Sequence, residues 1–282
     1  MTKVMAQVKD KNEEYAALAV FTALAPLAVG GLVGLLVSPA LSQVLGIDWA
    51  AVVVLGVGFL ALVVSLLHLG RPWRAPLALA RLATSWLSRE IILFGLFLFA
   101  LACYAVLPVL KLGVLALYLV GFAGAIIGLV GTVATGEIYH LRSRPSWDQW
   151  LAVASFPLGA LSTGTLFGFF VARQFAGRAG VAGAGWVGAA LLLVAALAVT
   201  CLRSTRRRPD SVEGDLSRRL VLGSSLWLLV VRVAAVIIAL GLIGLGGGAQ
   251  FFAWIPALLG EFADRVLFFK TVVPVTLRGR YL

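Results

Sequence analysis

Charged side chains are scarce in this sequence: Asp, Glu, Lys and Arg make up 12% of its 282 residues, about half the share of an ordinary soluble domain. Acidic residues are scarcer still, 12 against 23 basic ones. That deficit excludes a cytosolic enzyme, a secreted domain and a disordered chain, all of which need polar surface or polar solvation. The two cysteines, Cys103 and Cys201, match no CxxC spacing, so the protein cannot hold an iron–sulfur cluster of its own. Each reads as a small buried apolar residue. The two histidines, His68 and His140, are too few for a stacked pair of bis-histidine haems across a bilayer, and no haem is expected. Glu137 and His140 have the Glu-x-x-His spacing of a di-iron site. The motif occurs once where two copies and two further carboxylates are needed, so no metal site is expected.

What the sequence has in abundance is apolar length. Hydrophobic residues make up 61% of the chain. Runs long enough to span a bilayer fall at about 16–37, 49–67, 90–110, 112–136, 150–171, 185–202, 220–243 and 251–276. Runs such as Leu191 to Val199 are continuously apolar rather than alternating, which favours helices over a membrane barrel. The expected fold is all-α, a polytopic bundle of eight transmembrane helices over residues 16–276. It carries a cytoplasmic N-terminal tail at 1–15 and a cytoplasmic C-terminal tail at 277–282. The tail at 1–15 lacks the basic region and cleavage site of a signal peptide, so it reads as retained. Glycines inside the spans (Gly30, Gly31, Gly34, Gly121, Gly124, Gly128, Gly131) predict close helix packing within the bundle, with homodimerisation as the other use of such residues.

Charge placement gives an orientation. With eight spans, one side receives three Lys in the tail, four Arg from Arg71 to Arg89, two at Arg142 and Arg144, six from Arg203 to Arg219, and two at Arg278 and Arg280, seventeen in all. The other side has Lys111, Arg173 and Arg178. By the positive-inside rule both termini face the cytoplasm of a cell membrane, and the net charge of +11 reports topology, not nucleic acid.

Polar residues gather after the second span. His68 ends it, Arg71, Arg74 and Arg81 follow, and Ser85, Trp86, Arg89 and Glu90 open the third. A histidine and a carboxylate at the membrane boundary can exchange protons with a two-electron, two-proton carrier dissolved in lipid. The same segment also reads as an interfacial stretch with Trp and Arg anchors. In the last span Glu261 and Arg265 are four apart and share a face. A lone charge at bilayer depth costs at least ~2.5–3.5 kcal/mol, so a network of Arg232, Glu261 and Arg265 is expected. Its role is either to fix helix packing or to form a polar wall beside a substrate. Arg232 is placed about 12 residues, or ~18 Å, into its span. Pro157, with Ser155 and Ser162 to Thr165 nearby, suggests a kink. A transporter would show such a break in two matched halves, and no convincing second copy is found.

The run His68-Leu69-Gly70-x-Pro72-x-Arg74-Ala75, followed by Arg81, Ser85, Leu87, Ser88, Glu90 and Ile91, resembles the signature of the membrane anchor subunit of the dimethyl sulfoxide reductase family. Glu14, Phe21-Thr22, Gly30-Gly31, Tyr139, Pro145-Ser146-Trp147 and Gly260-Glu261 with Arg265 and Phe268 extend the likeness along the chain. The resemblance implies a quinol site without haem, in which His68 and Glu90 are tied to menaquinol oxidation. Arg71, Arg74, Ser85, Trp86 and Arg89 would lie around the quinone, with Glu261 and Arg265 lining its cavity. It also implies an iron–sulfur partner subunit carrying 4Fe-4S clusters and a catalytic subunit carrying molybdopterin. The basic stretch at Arg206, Arg207 and Arg208 would suit docking of such a partner. The substrate of the complex and the direction of electron flow belong to those partners. A transporter or a purely structural membrane anchor is the alternative.

Overall fold

The computed structural model describes residues 2–38, 46–67, 81–175, 181–206 and 211–273, with side chains from Tyr15 onward. His68, Arg71, Arg74, Arg207, Arg208 and the expected C-terminal tail lie outside the described residues. The described residues are helical, with no strand among them. In chain order the helices are α1 (Thr2–Val37), α2 (Trp49–Leu67), α3 (Trp86–Val106), α4 (Val114–Ile138), α5 (Trp150–Gly159), α6 (Thr165–Phe175), α7 (Gly183–Thr205), α8 (Val212–Leu222), α9 (Leu226–Leu245) and α10 (Trp254–Lys270).

Among the described residues seven helical spans are long and apolar enough to cross a membrane; α5 and α6 count as one, joined by a π-helical turn at Ala160–Gly164. The eighth expected span is α10, a 17-residue helix that packs with α9 and α1 and contains Glu261, Asp264, Arg265 and Lys270. The first span occupies Tyr15–Val37, but the helix itself begins at Thr2, so the backbone of the expected tail continues α1. Outward-facing side chains such as Phe99, Leu115, Ile126, Leu191 and Ile237 are apolar and exposed, as lipid contact requires.

The ends of the helices are fixed locally. Asp48 caps α2, its Oδ1 accepting from Ala50 N at 3.1 Å and Ala51 N at 3.3 Å. The backbone N–H of Asp48 donates to Ala105 O at the far end of α3. Helices α3 and α4 are joined by a 3-10 turn at Leu107–Leu110 and by Lys111 and Gly113, at φ 51° and 89°. Two left-handed residues in three let the chain reverse within so short a connection.

Glycine sets how closely the central helices approach. Gly30 and Gly34 on α1 face Gly164 and Gly168 on the π turn and α6. A Cβ on Gly30 would collide with Ala160 O and stand 2.7 Å from Gly164 Cα, and one on Gly34 would stand 2.8 Å from Gly168 Cα. The backbones therefore touch, and any side chain there would separate them. Gly121, Gly124 and Gly128 on α4 likewise receive Tyr104, Ala100 and Phe97 of α3 together with Leu36, Leu32 and Val29 of α1. These glycines serve packing inside the bundle.

One stretch differs from its expected form. Residues 203–219 combine the end of α7 with most of α8, a separate helix capped by Ser211, whose Oγ accepts from Gly214 N at 3.0 Å. The span after it starts at Leu226 instead of about 220. Arg232 is therefore the seventh residue of α9, about 9 Å from its start, half the expected depth.

Candidate functional site

Glu90 lies in the second turn of α3. Ser85 caps that helix, its Oγ accepting from Ser88 N at 3.4 Å. Arg89 is tied to the turn before the helix, with Nε donating to Leu82 O at 3.0 Å, Nη2 donating to Ala83 O at 2.7 Å, and the guanidinium 4.4 Å over the Trp86 ring. Trp86 is exposed at the rim. Ser85, Trp86 and Arg89 thus build the start of α3, while Glu90 alone of this group turns into the bundle, 5% exposed. There Thr135 Oγ1 of α4 donates to Glu90 Oε1 at 2.5 Å.

Tyr139 follows Thr135 by four residues, on the same face of the chain. Its ring stacks on Phe156 at 5.9 Å between centroids and meets Trp147, Phe268 and Phe269 edge-on. Trp147 stacks on Phe268 at 5.0 Å and its Nε1 donates to Phe268 O at 3.0 Å. Burial, then the charge of Glu90, push the Tyr139 hydroxyl above its ordinary value, with Arg265 and Arg144 opposing. Tyr139 therefore stays protonated at neutral pH, a hydrogen-bond donor within electrostatic reach of both Glu90 and Arg265.

Behind this aromatic wall lies the ion network. Glu261 pairs with Arg232 (Oε2 to Nη2, 3.0 Å) and with Arg265 (Oε1 to Nη2, 2.5 Å). Arg265 also donates to Ser155 Oγ at 3.2 Å and Ser155 O at 2.9 Å, and lies 4.0 Å over the Phe156 ring. Gly159 leaves room for the carboxylate: a Cβ there would stand 2.5 Å from Glu261 Oε1. The expected trio is present. It has a neighbour that sequence reasoning missed, the buried pair of Arg203 on α7 and Asp264 on α10, at 2.6 Å. Three arginines and two carboxylates leave the whole cluster one positive charge in excess.

His140 sits on the exposed side, 3.3 Å from Glu137 and 3.2 Å from Asp148. Among the described residues no group of three or more His, Cys, Asp or Glu is placed to hold a metal ion.

Residues 13–206, from α1 through the end of α7, match the family described as the DMSO reductase anchor subunit (DmsC). The protein belongs to this family. Similar curated proteins include a polypeptide of the anaerobic dimethyl sulfoxide reductase of Haemophilus influenzae, 33% identical over 105 residues, which are 37% of each sequence. A sulfite dehydrogenase subunit of Allochromatium vinosum is 34% identical over 128 residues, 41% of this sequence and 38% of its own. The matches span less than two fifths of the length of these relatives. In this DMSO reductase anchor subunit family member, the matched region covers the Glu90, Thr135 and Tyr139 side of the site and Arg203. It stops before α9 and α10, which supply Arg232, Glu261, Asp264 and Arg265. The protein is a multi-pass membrane protein.

Proposed function

We propose that this protein is the membrane anchor and quinone-reactive subunit of a molybdopterin oxidoreductase complex, exchanging electrons between menaquinol and an iron–sulfur partner subunit. The observation that carries the reading is Glu90: a carboxyl group buried at the end of the bundle where the basic connections gather, fixed by Thr135 and backed by Tyr139. A carboxyl group held there is suited to accept or return a proton of a quinol whose headgroup enters from lipid. Thr135 orients one carboxylate oxygen and leaves the other for exchange, and the aromatic wall excludes water from the inner side.

His68 precedes Glu90 by 22 residues and directly follows α2 in the sequence. In this reading it takes the first quinol proton and Glu90 relays or orients the second. Arg71 or Arg89 polarises a quinone oxygen, and Arg74, Ser85 and Trp86 shape the mouth. Glu261 and Arg265 form the polar rear wall. The partner's 4Fe-4S clusters supply one-electron acceptors, and molybdopterin chemistry belongs to the catalytic subunit. Seventeen basic residues on one side against three on the other support a cytoplasmic location of both termini.

The test uses the intact complex. Added menaquinol should change the EPR signal of the partner's clusters in wild type, and His68→Ala and Glu90→Gln should abolish that change while the subunits still co-purify. An intact complex whose clusters ignore quinol would overturn the proposal and leave an anchor alone.

A further inference from the structure

The connection between α7 and α9 carries a feature that the quinol reading does not use. A cleft open to the outside lies where the end of α7, helix α8 and the end of α10 meet the turn before α5. Its polar lining includes Ser146, Gln149, Arg203, Arg206, Ser217 and Arg218, and no Asp or Glu is among the described residues that line it. Arg203 is held from behind by Asp264, and Arg218 is fixed by its Nε donating to Thr205 O at 2.9 Å. Arg206 is exposed. Three guanidinium groups with one carboxylate behind them make the cleft electropositive.

Its buried polar atoms are incompletely matched. Arg203, 8% exposed, has an Nε without a hydrogen-bond partner among the described residues, and so has Ser146 Oγ. Gln149, 6% exposed, uses Nε2 to donate to Ser146 O at 2.7 Å and Arg203 O at 3.4 Å. Those two carbonyls fix the amide orientation, because a flipped amide would set oxygen against oxygen. Among the described residues Gln149 Oε1 is left as an unpaired buried acceptor. Buried polar atoms without partners are costly, and here all three belong to residues that line one cleft. The complement is a ligand with anionic oxygens for the arginines and a hydroxyl hydrogen for Gln149. An ammonium donor would meet three guanidinium groups and is disfavoured.

The surroundings identify the source. Trp150 and Trp227, 66% and 56% exposed, flank this end of the bundle as interfacial anchors do. Helix α8 exposes Val212, Leu220 and Leu222 along with its arginines, the character of a helix lying in the headgroup layer. We infer that this cleft binds the phosphodiester headgroup of an anionic lipid bearing a free hydroxyl, such as a phosphoglycerol lipid.

The experiment takes the full-length protein, purified with the subunits it retains, stripped of lipid in detergent. It measures bound phospholipid by native mass spectrometry and thermal stability on adding phosphatidylglycerol, phosphatidylethanolamine or inorganic phosphate. Wild type should bind and be stabilised by phosphatidylglycerol alone. Arg218→Gln and, separately, Gln149→Leu should each weaken that binding about tenfold, the loss of one charge-assisted or buried hydrogen bond. Arg218 is at the rim, so its variant folds if Gln149→Leu does not. Equal stabilisation by inorganic phosphate would overturn the lipid assignment. Unaltered lipid binding in Arg218→Gln, or a cleft that responds only to re-addition of a partner subunit and to no lipid, would overturn the site.

Discussion

Thr135 and Glu90 join the last turns of α4 to the first turns of α3 through a single 2.5 Å hydrogen bond between residues 45 apart in sequence. The hydroxyl also lies 3.2 Å from Gly131 O within its own helix, so it is pre-positioned on α4 before it meets the carboxyl group. Thr135→Val removes the donor while keeping the shape. Quinol-dependent turnover should fall about tenfold, the worth of one hydrogen bond to a carboxyl group, with the amount of assembled protein unchanged. Thr135→Ser should restore most of it. Equal turnover in all three forms would separate Glu90 from the proposed site.

The buried ion network makes a second prediction. Removing one partner of a buried pair leaves an uncompensated charge and costs about 3–5 kcal/mol. Glu261→Ala strands both Arg232 and Arg265 and should be more damaging than Asp264→Ala, which strands Arg203 alone. The check is the thermal midpoint and membrane yield of each variant. The double change Arg203→Met with Asp264→Leu should recover much of the loss of Asp264→Ala, because neither member of that pair is left buried without the other.

Glycines at helix contacts and glycines facing open space should respond differently to substitution. Gly164→Val or Gly168→Val would drive α6 away from α1, and overpacking of this sort costs about 1–3 kcal/mol or more where backbone is the obstacle. Gly188→Ala and Gly244→Ala meet nothing within 4 Å and should leave the midpoint within experimental error. Detergent thermal unfolding of the four variants distinguishes the groups.

Membrane orientation can be read chemically. In a variant lacking Cys103 and Cys201, a Pro209→Cys substitution should react with a membrane-impermeant thiol reagent only in inverted vesicles or lysed cells. Reaction in intact cells would reverse the assignment drawn from the basic residues.

The sequence conveyed the spans well, because unbroken apolar length is a local property. It also conveyed Arg232, Glu261 and Arg265, since charges that deep must find one another. Arg203 and Asp264 escaped because Arg203 stands at the end of α7 beside the run at Arg206 to Arg208, where a count along the sequence assigns it to the connection. Helix α8 escaped for a related reason: its arginines count into one basic connection from Arg203 to Arg219, and the helix shows only once Ser211 is seen to cap it. Thr135 gave only a faint signal, a hydroxyl in a Gly-rich apolar helix one turn before Tyr139. Its partner is set by how α3 and α4 pack, which Gly124 and Gly128 determine.

The ion pairs of α10 bear on how the protein enters the membrane. Three of its charges, Glu261, Asp264 and Arg265, are buried together, and each carries a cost of ~2.5–3.5 kcal/mol for a solitary helix near mid-bilayer. Two of the cations that neutralise them, Arg203 and Arg232, stand on helices made earlier in synthesis. The order of translation therefore supplies those two counter-charges before α10 is made, so its buried carboxylates need not enter the membrane without partners.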